Sequence, residues 1–332
     1  MTSAADTVFV EAPARLHFGV LDLRGALGRW FGGIGAAAPA PSLLLSASAA
    51  DTLEAAGEDA DRAAEFARRF LSHHRIERGA RVCVQRMLPP HAGLGSGTQL
   101  ALAVARALAE LYGVDTDPAL LARAVGRAER SAIGTWTFAG GGLVVEGGRR
   151  QDRDGVAPLL ARLSFPPAWR CVVAVPHTAP RISGSAEAAA FAALPPPPER
   201  EVDRVSHLVL MGLLPALAEA DLVTFGASLS AIQQITGRWF ASVQGGTFAP
   251  GSSDELVRRM TEWGAAGVGQ SSWGPAVYGI VSGEEHGRRL ADRVRAFVSR
   301  SGPAAIVYEG PFRTEGARVW RDVTSVSGPV HE

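Results

Sequence analysis

The chain has 332 residues, of which 47% are hydrophobic and 20% charged, as in an ordinary globular protein large enough for two domains. Its formal net charge is zero, so no overall field would draw it to nucleic acid or to an anionic membrane. No segment has the roughly 20 uncharged apolar residues of a membrane span, and the first residues lack a secretory signal pattern. Only two cysteines occur, Cys83 and Cys171, outside any C-x-x-C pattern, which predicts a reduced, cytoplasmic protein.

Lysine does not occur in the sequence, and all 33 basic residues are therefore arginine. A lysine Schiff base with pyridoxal phosphate and a Walker-type G-K-[ST] loop are both excluded by this composition. Any anion must be bound by arginine, backbone N–H groups, hydroxyl groups or a metal ion.

The hydrophobic pattern of the first half predicts a mixture of strands and helices. Apolar residues at every second position mark the strands, and apolar residues three and four positions apart mark the helices. In chain order, the predicted elements are strands at 8–23 and 42–49, a helix at 59–74, a strand at 80–88, helices at 98–112 and 117–130, and a hairpin at 136–148.

The second half starts again with a strand after a junction near residues 150–168. The proline-rich segment 194–201 favours a surface connection over regular structure. The predicted elements are a strand at 169–177, helices at 201–220, 221–236 and 252–264, a strand at 275–282, a helix at 284–300 and a strand at 304–310. This order resembles a split βαβ unit, and the whole chain is predicted to be α+β.

A glycine-rich loop, PPHAGLGSGTQ at 89–99, joins a predicted strand to a strongly apolar predicted helix. Glycines let backbone N–H groups approach an anion closely, and the first helical turn has unpaired donors that favour negative charge. The loop is therefore predicted to bind phosphate, although a sharp turn without a ligand would have a similar composition. The candidate phosphate-binding residues are Gly93, Leu94, Gly95, Ser96, Gly97, Thr98 and Gln99.

A second cluster of glycine and serine, with one tryptophan, lies at 264–281 before a predicted strand. Alone it is typical of a turn, but the two clusters together suggest two walls of one cleft. The first cluster does not fit the G-x-G-x-x-G pattern of dinucleotide-binding folds, so NAD is not expected as a cofactor.

Three segments, in order along the chain, resemble motifs of the GHMP kinase superfamily, which includes galactokinase, homoserine kinase and mevalonate kinase. They are EAPARLHFGVLDL at 11–23, PPHAGLGSGTQLALAVA at 89–105 and GVGQSSWGPAVYGIV at 267–281. The resemblance implies a two-domain α+β fold. Residues 1–165 would form a domain like domain 2 of ribosomal protein S5, and residues 166–332 a ferredoxin-like domain. Family members tend to form homodimers.

Two departures from the kinase pattern argue against phosphoryl transfer. Gly97 stands where the kinases usually have a serine, and the segment 131–142, SAIGTWTFAGGG, has no acid where they carry a catalytic aspartate. A kinase of this type uses that carboxylate to accept a hydroxyl proton or to orient the hydroxyl.

Four segments instead resemble the β-ribofuranosylaminobenzene 5′-phosphate synthases, a GHMP-fold family that lacks kinase activity. They are RLHFGVLDL, RWFGGIG, HAGLGSGTQLALAVA and RSAIGTWTFAGGGLVVEGG.

This resemblance implies a reaction between 4-aminobenzoate and 5-phosphoribosyl 1-pyrophosphate (PRPP). Carbon dioxide and pyrophosphate would be released on the route to methanopterin-type one-carbon carriers. Because carbon dioxide rather than a proton leaves the ring carbon, no strong base is required there, and the missing kinase aspartate is tolerable. The sequence leaves open whether the ring carries a para-amino or a para-hydroxyl group.

Arg15, His17 and Asp22 of the first motif are the candidate catalytic residues. Arg15 and His17 lie two positions apart on a predicted strand, so both side chains would face the same side. The arginine would hold a carboxylate or phosphate through its planar fork, and the histidine would hydrogen bond the amine or the carboxylate. Magnesium is the expected charge neutraliser, with Asp22 as the first candidate ligand and Glu129 as the second, although either carboxylate could equally be structural.

Aromatic and polar residues near the glycine clusters are candidates for the pocket of the aromatic acid. Large aromatic side chains stack on rings but are also common in protein cores, so both roles stay open. The pocket candidates are Arg29, Trp30, Trp136, Gln270, Ser271, Ser272 and Trp273.

Two other functions are compatible with the same motifs. A small-molecule kinase with a rearranged base would consume ATP and need an adenine pocket, and the acid-free segment 131–142 argues against it. A non-catalytic binding module would keep the fold without the reaction, and the polar residues retained in all three motifs disfavour it.

Overall fold

The computed structural model describes residues 6–177, 189–191, 193–301 and 304–323. The strands are β1 (Asp6–Asp22), β2 (Arg29–Ala50), β3 (Glu54–Gly57), β4 (Gly79–Arg86), β5 (Leu143–Glu146), β6 (Arg149–Arg150), β7 (Leu159–Leu163), β8 (Trp169–Pro176), β9 (Gly267–Gln270), β10 (Val277–Ser282), β11 (Ala305–Pro311) and β12 (Arg318–Val323). The helices are α1 (Ala60–His73), α2 (Ser96–Tyr112), α3 (Pro118–Ala124), α4 (Ile133–Gly140), α5 (Glu199–Leu208), α6 (Leu214–Ala218), α7 (Leu222–Gln244), α8 (Ser252–Glu262) and α9 (Glu284–Ser301), and a π-helical segment, Val209–Leu213, lies between α5 and α6. No helix in the described ranges is both long and apolar enough to cross a membrane.

The first sheet is built around the long antiparallel pair β1 and β2. Its strand order is β12-β1-β2-β4-β3, with β5 and β6 also paired to β2 and β7 paired to β5. The β1–β2 register shifts between Pro13 and Arg15 and again between His17 and Gly19. Proline has no N–H to donate to the ladder, and such irregularities change the direction of neighbouring side chains. The first motif therefore lies where the strand is least regular.

Helix α2 fixes the glycine loop against this sheet. Its residues from Gln99 to Ala109 are buried except for Arg106, and the helix packs on β1 and β2. Alanine and leucine favour the helical conformation, and the small alanine side chains let the helix lie close to the strands. Gly113 ends the helix in the left-handed conformation. The N-terminus of α2 is thus held in one position by a rigid core.

The second sheet is antiparallel with the order β11-β8-β10-β9. Helix α7 packs on β9 and also on β1 of the first sheet, so it joins the two halves. Its contact with the second half is close, because a Cβ added to Gly226 would lie 2.1 Å from the Ala266 carbonyl oxygen. The cavity described below lies beside this helix.

The structure differs from the sequence-based predictions in several places. Strand β12 was not predicted and pairs with β1, so a division of the chain at 165/166 separates it from the rest of its sheet. Strand β9 was also missed, and β2 is far longer than the predicted strand at 42–49. The hairpin predicted at 136–148 is wrong, because this segment contains most of helix α4 followed by β5. Strand-favouring Thr and aromatic residues suggested the hairpin, whereas packing against the sheet decides the conformation.

Candidate functional site

The two glycine-rich segments meet in the structure and are hydrogen bonded to each other. The Ser271 hydroxyl donates to the Gly93 carbonyl over 2.7 Å and accepts the His17 backbone N–H over 2.9 Å. Nearby, the Ala276 N–H donates to the Ala92 carbonyl over 3.1 Å. Ser271 is fully buried, so these bonds form without competition from water. One serine hydroxyl therefore joins the three motifs that the sequence analysis singled out.

This close approach requires glycine at two positions of the loop. Gly93 and Gly95 have left-handed φ angles of 78° and 80°. A Cβ at Gly93 would lie 2.1 Å from the Ser271 carbonyl oxygen, and one at Gly95 would lie 2.9 Å from Cγ of Arg15. Any larger residue would strain the backbone and separate the segments.

Arg15 lies between the glycine loop and a cavity. Its backbone N–H donates to the Leu94 carbonyl over 3.0 Å, and its Nη1 donates to the Gly93 carbonyl. The same side chain lines the cavity. A guanidinium carries five N–H donors in a planar fork, which suits contact with a carbonyl on one side and an anion on the other.

The cavity has a volume of about 130 Å³, and its walls come from β1, the start of β2, helix α7 and the second glycine cluster. Arg15, Arg130 and His17 reach its surface. None of the lining residues, all of which belong to the described ranges, is an aspartate or a glutamate. The site therefore has the electrostatic character of an anion-binding site and offers no carboxylate as a general base.

An aromatic cluster forms one side of the cavity. The ring centroid of Trp273 lies 5.0 Å from that of Phe240 and 5.4 Å from that of Phe191, with edge-to-face geometry in both pairs. Phe31 adds a further ring, 5.8 Å from Phe191. Edge-to-face clusters of this kind present flat faces and edges that suit an aromatic ligand.

Polar groups complete the lining. The guanidinium carbon of Arg130 lies 5.2 Å from the Phe191 ring centroid. The Gln233 amide donates to the Phe18 carbonyl over 2.7 Å and accepts the Gln270 N–H over 2.8 Å, so its position is fixed from both sides. Helix α7 also contributes Thr236 to the lining. An aromatic ligand in the cavity would thus meet rings on one side and hydrogen-bonding groups on another.

Burial holds His17 in the neutral form. Burial, and then the charge of Arg15, lower the pKa of His17 from 6.5 to about 3. His17 also lines the cavity. A neutral imidazole donates one hydrogen bond and accepts another, but it cannot deliver a proton as a cation near pH 7.

Glu146 is a fully buried carboxyl group next to the site. It accepts the Gly148 N–H over 2.7 Å and the Ala132 N–H over 3.5 Å. Burial raises its pKa to about 7, and these two hydrogen bonds oppose the shift. Since Ala132 follows the cavity residues Arg130 and Ser131, Glu146 supports the turn that carries them.

Three predicted site residues lie outside the cavity lining. The Asp22 carboxylate accepts the backbone N–H groups of Arg24 at 2.6 Å and Gly25 at 3.2 Å, so it stabilises a turn. Arg29 donates to the Gly148 carbonyl over 2.9 Å. Trp30 is 39% exposed. Phe31, the next residue, is the one that contributes a ring to the cavity.

Three further candidates have packing roles. Trp136 lies on helix α4 rather than in a hairpin, and its indole N–H donates to the Ala157 carbonyl over 2.8 Å. Gln99 is fully buried, and its amide donates to the Gly134 carbonyl over 3.1 Å, which ties α2 to α4. Leu94 is buried in the core. These side chains hold the loop in place and do not face a ligand in the cavity.

The residues predicted from the second glycine cluster agree better with the structure. Gln270, Ser272 and Trp273 line the cavity, while Ser271 holds the glycine loop. The loop residues 93–99 are not among the lining residues and lie on the other side of Arg15. Sequence reasoning missed Arg130, Phe191 and Phe240, which also line the cavity.

The described residues contain no group of three or more His, Cys, Asp or Glu side chains positioned to hold an ion. Asp22, the first candidate magnesium ligand, uses one carboxylate oxygen to accept the backbone N–H groups of Arg24 and Gly25. The charge available for an anion comes from arginine and backbone N–H groups.

The fold is that of the GHMP kinases. Family models match the N-terminal domain of GHMP kinases at residues 60–142 and the C-terminal domain at 213–300. Homoserine kinase from Cytophaga hutchinsonii superposes with a TM-score of 0.73 at 18% identity, covering 96% of this chain and 99% of that chain. Mevalonate diphosphate decarboxylase from Staphylococcus aureus gives 0.65 at 12% identity, covering 95% and 98%. The fold predicted from the motifs is confirmed.

Within this class, more similar relatives define the family. A β-ribofuranosylphenol 5′-phosphate synthase from Methanothermobacter thermautotrophicus is 35% identical over 331 residues, covering 93% of this chain and 98% of the relative. One from Archaeoglobus fulgidus is 36% identical over 297 residues, covering 85% and 91%. The chain belongs to the β-ribofuranosylphenol 5′-phosphate synthase family. The resemblance to synthases rather than kinases is thereby confirmed, and the protein is an enzyme.

Proposed function

We propose that the enzyme is a decarboxylating phosphoribosyltransferase, which joins 4-aminobenzoate to PRPP in the biosynthesis of methanopterin-type carriers. The products are β-ribofuranosylaminobenzene 5′-phosphate, carbon dioxide and pyrophosphate. The observation that carries the proposal is the cavity next to the glycine loop, which has aromatic walls and two arginines but no carboxylate among its described lining residues. Both substrates are anions, and one contains an aromatic ring.

The chemistry needs charge stabilisation and alignment more than proton transfer. The bond from ribose C1 to the pyrophosphate oxygen breaks, and the leaving group takes the electron pair. The ring carbon that bears the carboxylate forms the new bond to C1. The bond to the carboxylate then breaks, its electrons restore the aromatic ring, and carbon dioxide departs. No proton is removed from the ring carbon, which suits a neutral His17 and a site without a base.

Each group of residues has a separate role in this reaction. The glycine loop supplies backbone donors to the leaving pyrophosphate, and Arg15 bridges the loop and the cavity. Arg130 offers a second cation within the cavity, where the acid's carboxylate would lie before it is lost. Trp273 and Phe240 hold the ring, and His17 hydrogen bonds the acid.

A para-hydroxyl acid is the second candidate substrate. The observation that favours it is the name of the relatives, whose product is a phenol rather than an aniline. A hydroxyl group donates electrons into the ring as an amino group does, so the same steps apply. The glutamine and threonine side chains of α7 can donate to or accept from either group.

Three further proposals concern the metal ion, the oligomeric state and the cellular location of the enzyme. Magnesium would accompany the pyrophosphate of the donor, since magnesium ions are commonly held in large part by substrate phosphates. No step above depends on it. A homodimer and a cytoplasmic location remain proposals that follow from the resemblance and the composition.

The proposed function is tested with purified protein, magnesium, PRPP and carboxyl-labelled benzoates. We expect labelled carbon dioxide to be released from 4-aminobenzoate only when PRPP is present. Parallel reactions contain 4-hydroxybenzoate in place of 4-aminobenzoate, or ATP in place of PRPP. If neither benzoate releases labelled carbon dioxide and the protein instead transfers phosphate from ATP to a small alcohol, the protein is a kinase and the proposal is wrong.

Replacing Trp273 with leucine is expected to raise the KM for the aromatic acid by about 2–13-fold with little change in kcat, because an aromatic contact contributes roughly 0.5–1.5 kcal/mol. Initial rates at saturating PRPP measure the effect. The matched control is Trp320→Leu, since Trp320 stacks on Phe9 at the edge of the first sheet. If the two substitutions change the KM equally, Trp273 does not contact the aromatic acid.

A further inference from the structure

Two arginines lie close to Gly97, two residues after the glycine that Arg15 contacts. A Cβ added to Gly97 would lie 2.5 Å from Nη2 of Arg62 and 3.4 Å from Nη2 of Arg127. These two nitrogens are therefore at most about 5.9 Å apart, the sum of those distances. Arg62 comes from α1, and Arg127 follows α3, so two separate elements direct cations at the first turn of α2.

Each guanidinium is held in place by a contact that leaves another nitrogen directed at the loop. Nη1 of Arg62 pairs with Asp59 over 2.7 Å, while its Nη2 is the atom near Gly97. The Arg127 guanidinium carbon lies 4.8 Å from the Phe66 ring centroid. Its Nε is buried without a hydrogen-bond partner in the part of the chain that the structure describes.

Charges of both signs lie around Arg127. Burial, followed by the charges of Arg62 and Arg69, lowers the pKa of Arg127, whereas Glu65 and Glu129 oppose the shift. Like charges held this close repel each other, and an anion between them would relieve the repulsion. The first helical turn adds unpaired N–H groups that point to the same place.

We propose that Arg62 and Arg127 form an anion subsite for the diphosphate group of the donor, next to Gly97 at the start of α2. The subsite rests on the proposed function in that it takes this diphosphate to be the leaving group. The two arginines supply the positive charge that a protein-bound metal would otherwise supply, in a chain whose described residues hold no metal centre. Planar guanidinium forks bind phosphate oxygens in pairs.

The same geometry explains why a glycine occupies position 97. The side chain of a serine there would overlap Nη2 of Arg62, 2.5 Å from the added Cβ. Because the overlapping atom is the end of a flexible side chain, Gly97→Ser is expected to fold but to displace the guanidinium. The substitution thus removes the subsite without removing a charge.

The test measures binding of inorganic pyrophosphate to the full chain by calorimetry, without any benzoate. We expect Arg62→Gln, Arg127→Gln and Gly97→Ser each to weaken binding by about tenfold or more, as for loss of a hydrogen bond to a charged group. In kinetic assays the KM for PRPP should rise by a similar factor, and the KM for the benzoate should not change. The matched control is Arg258→Gln, which also removes an exposed arginine paired with an acid three residues earlier, Glu255.

The outcomes separate the subsite from the overall function. Unchanged pyrophosphate affinity in Arg62→Gln and Gly97→Ser would overturn the subsite, even if labelled carbon dioxide is released normally. Loss of affinity in these variants, without carbon dioxide release from any benzoate, would keep the subsite and reject the transferase. Binding of ATP but not of PRPP, weakened by the same substitutions, would overturn the assignment to the sugar donor.

Discussion

Arg15→Met is expected to lower kcat/KM for PRPP by about 10²–10³-fold, since loss of one partner of a buried charge pair typically costs 2–5 kcal/mol. Methionine keeps part of the aliphatic length, so the side chain still packs near Gly95, but the cation between loop and cavity is removed. The free energy of unfolding should fall by only about 1 kcal/mol, for the lost hydrogen bond to the Gly93 carbonyl. Carbon dioxide release and urea unfolding measure the two quantities.

Two further variants make this expectation specific. Arg15→Lys keeps the charge but loses the planar fork, so its kcat/KM should lie between those of the wild type and Arg15→Met. Arg318→Met removes an exposed arginine beside Trp320 and should leave kcat/KM unchanged. If Arg15→Met retains the wild-type kcat/KM, the bridge between loop and cavity is not part of catalysis.

The sequence predicted the parts of the site that depend on motifs. The glycine loop, Arg15 and the cluster containing Ser271 and Trp273 lie together as expected. Glycine pairs and helix starts are local signals with a direct physical cause, so they can be recognised without knowing the fold. The fold followed from the resemblance of these motifs to those of the GHMP kinases.

Long-range packing explains the largest error in secondary structure. The segment RWFGGIGAAAPAP, in the first half of β2, has few strand-favouring residues and resembles a loop. Its small residues are required because α4 packs directly on it. A Cβ at Gly35 would lie 2.4 Å from Cγ2 of Ile133 and 2.5 Å from the Leu16 carbonyl oxygen. A local pattern cannot distinguish a loop glycine from one that makes room for a helix.

The aromatic residues show a similar limit. Trp30 and Trp136 are the larger aromatic side chains near the motifs, whereas the cavity uses Phe31 and Phe240. A usable signal did exist for Phe240. Gln233, Thr236, Phe240 and Gln244 follow the spacing of one helical face, and this face is polar although α7 packs between two sheets. The helix was predicted to end at 236, so the continuation of that face was not recognised.

Two buried groups make the free energy of unfolding respond to pH in opposite directions. His17 has a lowered pKa, so its contribution is fully present above 6.5 and is lost as the pH falls toward about 3. Glu146 has a raised pKa, so its contribution is fully present below 4.5 and is lost as the pH rises through about 7. Between pH 4.5 and 6.5 each slope is about 1.4 kcal/mol per pH unit, with opposite sign, and the two largely cancel.

Single substitutions should separate the two pH dependences of the free energy of unfolding. In Glu146→Gln the His17 slope remains, so the free energy of unfolding should fall, relative to the wild type, by up to about 3 kcal/mol between pH 6.5 and 4.5. In His17→Asn the Glu146 slope remains, and the change relative to the wild type should have the opposite sign. Urea unfolding across this range measures both, and subtracting the wild-type curve removes the titration of other groups.

The sign of each difference curve is more decisive than its size. Glu285→Gln removes an exposed carboxyl on α9 and is the control for the loss of a carboxyl as such. A difference curve for Glu146→Gln no steeper than that of this control would mean that the pKa of Glu146 is not raised in the folded protein. A flat curve for His17→Asn would mean that His17 titrates normally, and the histidine facing the cavity would then be able to carry a proton near neutral pH. The neutral role assigned to His17 in the transfer reaction would have to be abandoned.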